Sequence, residues 1–390
     1  MFLRALSEIA LLEIALFDFP DRERVARPAF ARQVTPLPSP GRRRVSALGA
    51  FISDFFTCRP RMIRGYQTAG PRGVVRRLQP ARFDAVFCFR IDFAHFAGVL
   101  GEHHLLLDVD DPEHTRWRRQ LQATLGKRGD FRTRYDLRKL ERFEKAAVRR
   151  AKAAFVCQSF DRETFSQTPL VVPNCVDVPR TRPPRRAGRP RIVFIGDFLV
   201  RRSPNVDALE WFLGQIWPAI SQAVPECELH VIGRIGESAD RQIAAAPKAL
   251  AIGYVEDLGA ALCAASLSVA PIRFGTGTRV KILDSFAHGC PVVSTPMGCE
   301  GIPVTDGKDI LLARTPAEFV EACVAILRDG GLGERIGAAG YDLVSAQFDE
   351  AKQRRQLVEK LAGLLDTPPG AARPAEVTPT LQALRQEDST

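Results

Sequence analysis

Short apolar runs that end in glycine or proline alternate with helix-length stretches through the second half of the chain, and this alternation limits the fold more than any other feature. The runs are Arg191–Gly196, Glu228–Gly233, Ala249–Gly253, Leu267–Pro271 and Pro291–Thr295. They are too apolar to leave one face in water, so they read as strands of a parallel sheet covered on both sides. Between them Val206, Leu209, Leu213, Ile216, Trp217 and Ile220 recur at helical spacing, and Asp257–Ala265 reads as a further helix. Strand, helix, strand in this order predicts a doubly wound α/β domain.

The first half repeats the pattern more weakly. Phe83–Phe89, His104–Val109, Ala153–Cys157 and Leu170–Val172 read as strands, and Tyr135–Lys152 as a basic helix whose apolar stripe is Leu137, Leu140, Phe143, Ala147 and Val148. Pro179–Pro190, with four prolines and five arginines, cannot be a helix interior or a central strand, and is expected to be a linker and hinge. A length of 390 residues suits two domains, 1–178 and 191–348. Residues 349–366, with Leu357, Leu361 and Leu364, are expected as a helix after the second domain, and the Pro- and Ala-rich 367–390 as a disordered tail. Two parallel sheets leave a cleft at their carboxyl ends, where ligands of such sheets bind.

Composition removes several classes. The longest uncharged run, Leu258–Ile272, is interrupted by Ser266, Ser268 and Pro271, so no spanning helix is expected. Arg4, Glu8, Glu13 and Asp18 break the apolar start, which is not a signal-peptide core, and a cytoplasmic protein is expected. Nine cysteines without a C-x-x-C pair give neither a disulfide framework nor a zinc cluster, and His103, His104 and His114 are expected in exposed loops. Residues 1–190 hold 36 Lys and Arg against 20 Asp and Glu, while 191–390 hold 19 against 25. The arginine clusters, at Arg42–Arg44, Arg76–Arg77, Arg116–Arg119 and Arg149–Arg150, lack the interleaved aromatics of nucleic-acid sites, so no nucleic acid is expected; an anionic membrane surface suits them better.

The chemistry concentrates in Ala270–Thr295. After the strand ending at Pro271, Gly275, Thr276, Gly277 and Thr278 open a helix expected over Arg279–His288. Free backbone N–H groups and the positive helix end favour an anion there, and the glycines let it approach closely. With Val280, Leu283 and Ala287 toward the core, Lys281 and Asp284 turn together to the other side, a cation for phosphate and a carboxylate for sugar hydroxyls. The bland alternative is a surface Lys–Asp pair on a capped helix.

These residues also carry a resemblance. RIVFIGDF from Arg191, SPNVDALEWF, GYVEDL, SVAPIRFGTGTRVKILDSFAHGCPVVST and GCEGI resemble, in order, the donor-binding domain of the family 4 retaining glycosyltransferases (glycosyl transferases group 1, GT-B fold), most of all the bacterial exopolysaccharide-type sugar transferases. Pro173-Asn174-Cys175-Val176-Asp177 is similar to the family's P-N-G-V-D. The resemblance covers about residues 105–365. It implies two Rossmann-like domains facing across a cleft, and 349–366 returning to the first domain. The implied activity is transfer of a hexosyl unit from a nucleoside-diphosphate sugar to a glycan or lipid-linked acceptor, with no metal and no cofactor. It implies that Asp108 or Asp110 lines the cleft, and makes Asp110, Lys281 and Asp284 the catalytic candidates. Gly196, Arg201, Arg202, Gly275, Thr276, Gly277, Thr278, Arg279, Lys281 and Asp284 are then the donor-binding candidates.

Three departures accompany it. The family's E-x7-E pair falls on Thr276 and Asp284, so the first acid is absent. The usual G-R-x-x-x-x-K-G phosphate motif is missing, which leaves Arg201 and Arg202 as substitutes. The family's first strand is not found ahead of the helix RALSE and the strand LLEIALFDF, so a truncated start and an exposed sheet edge are expected. Asp108-Val109-Asp110 spells the D-x-D of metal-dependent transferases, but its position ahead of a second α/β domain speaks against that role. A degenerate copy that binds nucleotide or a partner protein without turnover is the alternative.

Overall fold

The computed structural model describes residues 1–18, 28–42, 60–64, 66–125, 131–165, 169–185, 188–200, 203–276 and 279–366. Arg201, Arg202, Gly277, Thr278, Arg43, Arg44 and the 367–390 tail lie outside them.

The strands are β1 (Leu12–Asp18), β2 (Ala31–Pro38), β3 (Gly41–Arg42), β4 (Tyr66–Gln67), β5 (Val86–Phe89), β6 (Leu105–Asp110), β7 (Ala153–Val156), β8 (Leu170–Val171), β9 (Arg191–Phe198), β10 (Glu228–Ile235), β11 (Ala249–Gly253), β12 (Leu267–Ala270), β13 (Val292–Ser294) and β14 (Leu311–Leu312). The second domain is one parallel sheet in the order β11-β10-β9-β12-β13-β14. Its first strand therefore stands in the middle and the order reverses between β9 and β12, the switch point at which a crevice opens. The expected helix at 204–220 is there, as Pro204–Trp211, a π-helical turn Phe212–Ile216 and Trp217–Ala223. Ser203 caps it by accepting from the Val206 N–H. Phe194, Phe212, Trp217 and Phe319 are wholly buried in the core that results, and the Trp217 indole N–H donates to the Pro247 carbonyl at 2.8 Å.

The first domain is built around a four-stranded parallel sheet, β5-β6-β7-β8. β1 and β2 form a separate parallel pair. Among the described residues no ladder joins β1 to β5. The Glu13–Arg82 ion pair at 3.0 Å lies near the start of both strands and the Phe17–Phe93 stack near the end of β1 and just past that of β5, so the two edges run in the same direction. Between them is an apolar cavity of about 450 Å³, lined by Ile14, Leu16, Phe17, Leu37, Val86 and Phe89 among others. β5 is the outer strand of its four-stranded sheet, and Phe89 at its end is 47% exposed.

The helix Glu350–Leu365, capped by Asp349, lays Leu357, Val358 and Leu361 against Leu6, Leu106 and Phe155 of the first domain. It thus crosses back. The linker is held rather than free: Arg185 donates to the carbonyls of Ala265, Ser266 and Gly289, Arg182 pairs with Glu334, and Tyr341 donates to the Pro179 carbonyl.

Three expectations fail. Val280 is 40% exposed, because the helix Val280–Ala287 buries the face of Ile282, Leu283, Phe286 and Ala287 instead. His104 and His114 are buried, not looped out: the His104 ring lies 3.2 Å from the Pro80 carbonyl, and His114 meets the Glu144 carboxylate. The Arg116–Arg119 cluster is not a bare basic patch, since Arg116 pairs with Glu113, Arg118 with Glu141 and Arg119 with Glu300.

Candidate functional site

The switch point gathers the sequence candidates. Beyond the end of β12 the chain continues to Gly275, which takes φ +117°, a conformation that L side chains rarely adopt. The helix Val280–Ala287 begins shortly after, so its unpaired N–H groups face the crevice.

Lys281 and Asp284 do not pair. The Lys281 ammonium turns inward, donating to Asn205 Oδ1 at 2.7 Å and lying 5.9 Å from the centre of the Phe194 ring. Asn205 Nδ2 is in turn held by the Asp197 carbonyl. Burial of the ammonium, reinforced by the Arg279 guanidinium, brings the Lys281 pKa down to about 7. Burial likewise pushes Asp284 up to about 6, with His288 opposing it. Arg279 folds back on the loop, donating to the Thr276 carbonyl at 2.8 Å, while its buried Nε has no partner. Among the described residues no carboxylate pairs with Lys281.

Gly196 sits two residues inside the end of β9, not in the following loop. A side chain there would strike the Phe198 ring, so its smallness serves packing.

The first domain supplies the opposite wall from the end of β6. Asp108 Oδ1 accepts from the Asp110 N–H at 3.1 Å, and Asp110 takes φ +59°. Burial raises both carboxyls, Asp108 to about 7, helped by Asp110, and Asp110 to about 6, helped by Asp111. Asp111 reaches across the cleft, where the Thr276 hydroxyl donates to its Oδ2 at 3.4 Å. Arg119 also crosses, donating to the Gly275 carbonyl at 3.3 Å and pairing with Glu300, while its guanidinium lies 5.2 Å from the centre of the Phe160 ring. Asp161 is fully buried, and burial followed by Asp111 pushes it up to about 7.

Of the sequence candidates, Gly275, Thr276, Arg279 and Lys281 share one corner; Asp284 lies further along the helix beside His288, and Asp110 stands next to Asp111, the residue that meets Thr276 from the other domain. Sequence reasoning missed Asn205, Asp111, Arg119, Cys157, Asp161 and Glu300. Asp111 stood beside a named candidate, and Asn205 follows a helix cap. Nothing in the spacing of Asp161 or Glu300 marks them.

Known proteins resemble this chain in sequence and in fold. Residues 189–329 match the glycosyl transferases group 1 family. The chain is 26% identical over 204 residues to the phosphatidyl-myo-inositol mannosyltransferase of Mycobacterium leprae, covering 50% of this chain and 54% of that protein. It is 21% identical over 169 residues to an uncharacterized 44.6 kDa protein in the cps region of Klebsiella pneumoniae, covering 41% and 43%. The chain spans about half the length of the curated relatives it matches. Among solved structures, sucrose-phosphate synthase of Thermosynechococcus elongatus is similar with a TM-score of 0.64 at 15% identity, over 90% of this chain and 89% of that one. The Anabaena protein HepE, solved with UDP and glucose, is similar with a TM-score of 0.56 at 15% identity, over 85% and 87%. The second sheet and its helices therefore form a domain matched by the glycosyl transferases group 1 family, and the two-sheet chain around it has the GT-B fold of glycosyltransferases.

Proposed function

We propose that the protein is a retaining glycosyltransferase of family 4, of the exopolysaccharide type, which moves a hexosyl unit from a nucleoside-diphosphate sugar to a glycan or lipid-linked acceptor. One observation carries the reading: the buried Lys281 ammonium, bonded to a neutral amide, at the start of a helix at the sheet's switch point. In this reading the diphosphate occupies the Gly275–Arg279 loop, and Lys281 and Arg279 neutralise the charge that grows on it as the sugar leaves. Fixed cations lower the barrier most where charge develops, and no metal or cofactor is needed for it. Asp284 accepts from the ribose. The acid absent at Thr276 has two neighbours that fit its task, Asp111 at the Thr276 hydroxyl and Glu300 held by Arg119. Asp110 faces the sugar from the first domain.

Arg134, Arg138 and Arg142 form an exposed stripe on the helix Phe131–Arg150, which supports docking of the first domain on an anionic, cytoplasmic membrane face where lipid-linked acceptors reside. No described helix is long and apolar enough to cross a membrane.

Calorimetric titration of UDP and GDP into the wild type and Lys281→Ala, with EDTA present, tests the reading. Micromolar binding lost in the variant supports it and names the base. Binding without cleavage of any sugar nucleotide favours the degenerate copy, and no binding to any nucleoside diphosphate overturns both.

A further inference from the structure

The first-domain wall of the cleft gathers several carboxyl groups around a thiol. One carboxylate oxygen each from Asp110 and Asp111 and the Cys157 sulfur lie within 4.8 Å of one another. The Cys157 thiol donates to Asp111 Oδ1 at 3.2 Å. Four residues past Cys157, on the short helix Ser159–Arg162, Asp161 is fully buried and neither of its carboxylate oxygens has a hydrogen-bond partner. The neighbouring arginines make their ion pairs and hydrogen bonds to other groups, Arg90 to Asp92 and Glu113, Arg119 to Glu300 and Arg279 to the Thr276 carbonyl, and act on Asp110, Asp161 and Asp111 only at longer range. Among the described residues no ion pair reaches Asp110, Asp111 or Asp161. A buried carboxylate with two orphaned oxygens is costly unless something positive or proton-donating meets it.

We propose that Asp110, Asp111, Cys157 and Asp161 bind a divalent cation on the first-domain side of the cleft. A tetrahedral shell with bonds of about 2.0–2.3 Å spaces its ligand atoms roughly 3.3–3.8 Å apart, so the Asp110, Asp111 and Cys157 atoms need to draw together by about 1 Å, and the Asp161 carboxylate, outside that group, has to move further. Three carboxylates and one thiolate suit Zn²⁺ or Co²⁺; Mg²⁺ requires an octahedral oxygen shell that this set does not supply. On binding, the thiol proton leaves to solvent and the sulfur takes the place it now gives to Asp111 as a donor. The cation then fixes Asp111, and through it the Thr276 hydroxyl, in the closed arrangement of the cleft. The site adjoins the diphosphate corner through the Asp111–Thr276 hydrogen bond, and its metal titration can be read without the transferase reading.

Co²⁺ is titrated into the full chain and followed by absorption, with EDTA-treated protein as the start. The expected result is a saturable sulfur-to-cobalt charge-transfer band in the near ultraviolet, one cobalt per chain, displaced by Zn²⁺ and not by Mg²⁺. Cys157→Ser abolishes the band. Asp161→Asn weakens binding by roughly tenfold or more, since loss of a ligand exceeds the tenfold to hundredfold cost of losing a supporting partner. Thermal melts in EDTA establish that each variant is folded, and Zn²⁺ raises the wild-type melt more than that of either variant. A missing band, a band that survives Cys157→Ser on another cysteine, or an Asp161→Asn protein that binds as the wild type does overturns the assignment. UDP titration in EDTA reads the diphosphate corner alone, so failure of one reading is visible apart from the other.

Discussion

Single residues here are set by burial more than by pairing. The Lys281 ammonium loses its proton as pH rises through about 7, whereas a bound diphosphate favours the charged form. Nucleotide affinity is therefore expected to fall as pH rises above about 7, by at most about tenfold per pH unit, the limit for one linked proton. Calorimetry across this range checks it, and Lys281→Ala is expected to bind weakly with no such dependence. Asp161 behaves in the opposite sense. Its folded pKa of about 7 stands above the 3.8 of an unfolded aspartate, so the stability it contributes is present below about pH 4 and lost as pH rises through about 7. In EDTA, Asp161→Asn is expected to stabilise the protein above pH 7, on the order of 1–2 kcal/mol, and to change nothing near pH 4. Denaturant titrations at both ends of that range decide it.

Elements position the site through close backbone approach. Gly233 on β10 lies opposite Gly196 on β9, with φ +130°, and a Cβ at Gly233 would overlap the Gly196 carbonyl oxygen. Gly233→Ala is expected to cost about 3 kcal/mol from strain and displacement of the carboxyl end of β9, read as a lower denaturation midpoint. Ser203→Ala, by contrast, removes only the cap of the following helix and is expected to cost about 1 kcal/mol by the same measurement. The apolar periodicity at 204–220 was legible because one helical face alone is buried. The burial of Lys139 and Glu144 on the helix Phe131–Arg150 was not, since Glu144 is drawn in by the backbone N–H groups of Glu113 and His114 from another helix.

At the scale of the molecule, the two domains meet through few polar contacts, and Arg119 makes two of them. It spans from the first domain to the Gly275 carbonyl and to Glu300. Arg119→Ala is expected to weaken the closed arrangement by about 1 kcal/mol, a roughly fivefold shift toward open forms, since a part-exposed ion pair is worth little more. Small-angle scattering is expected to show a larger radius of gyration in the variant, with thermal unfolding nearly unchanged. Arg182 and Arg185 tie residues 179–185 to the second sheet's domain, which proline content alone does not show.

By itself the sequence determined the doubly wound second domain, its switch-point loop and the returning helix, because these follow from local periodicity, capping and glycine placement, which act over a few neighbours. Only the tertiary structure decided that Lys281 leaves Asp284 for Asn205, that Val280 faces water, that Asp111 gathers with Asp110 and Cys157, and that Asp111 meets Thr276 across the cleft. Those outcomes depend on which surfaces exclude water once the two sheets are packed. Residues distant in sequence share one dielectric environment there, and no spacing along the chain records it.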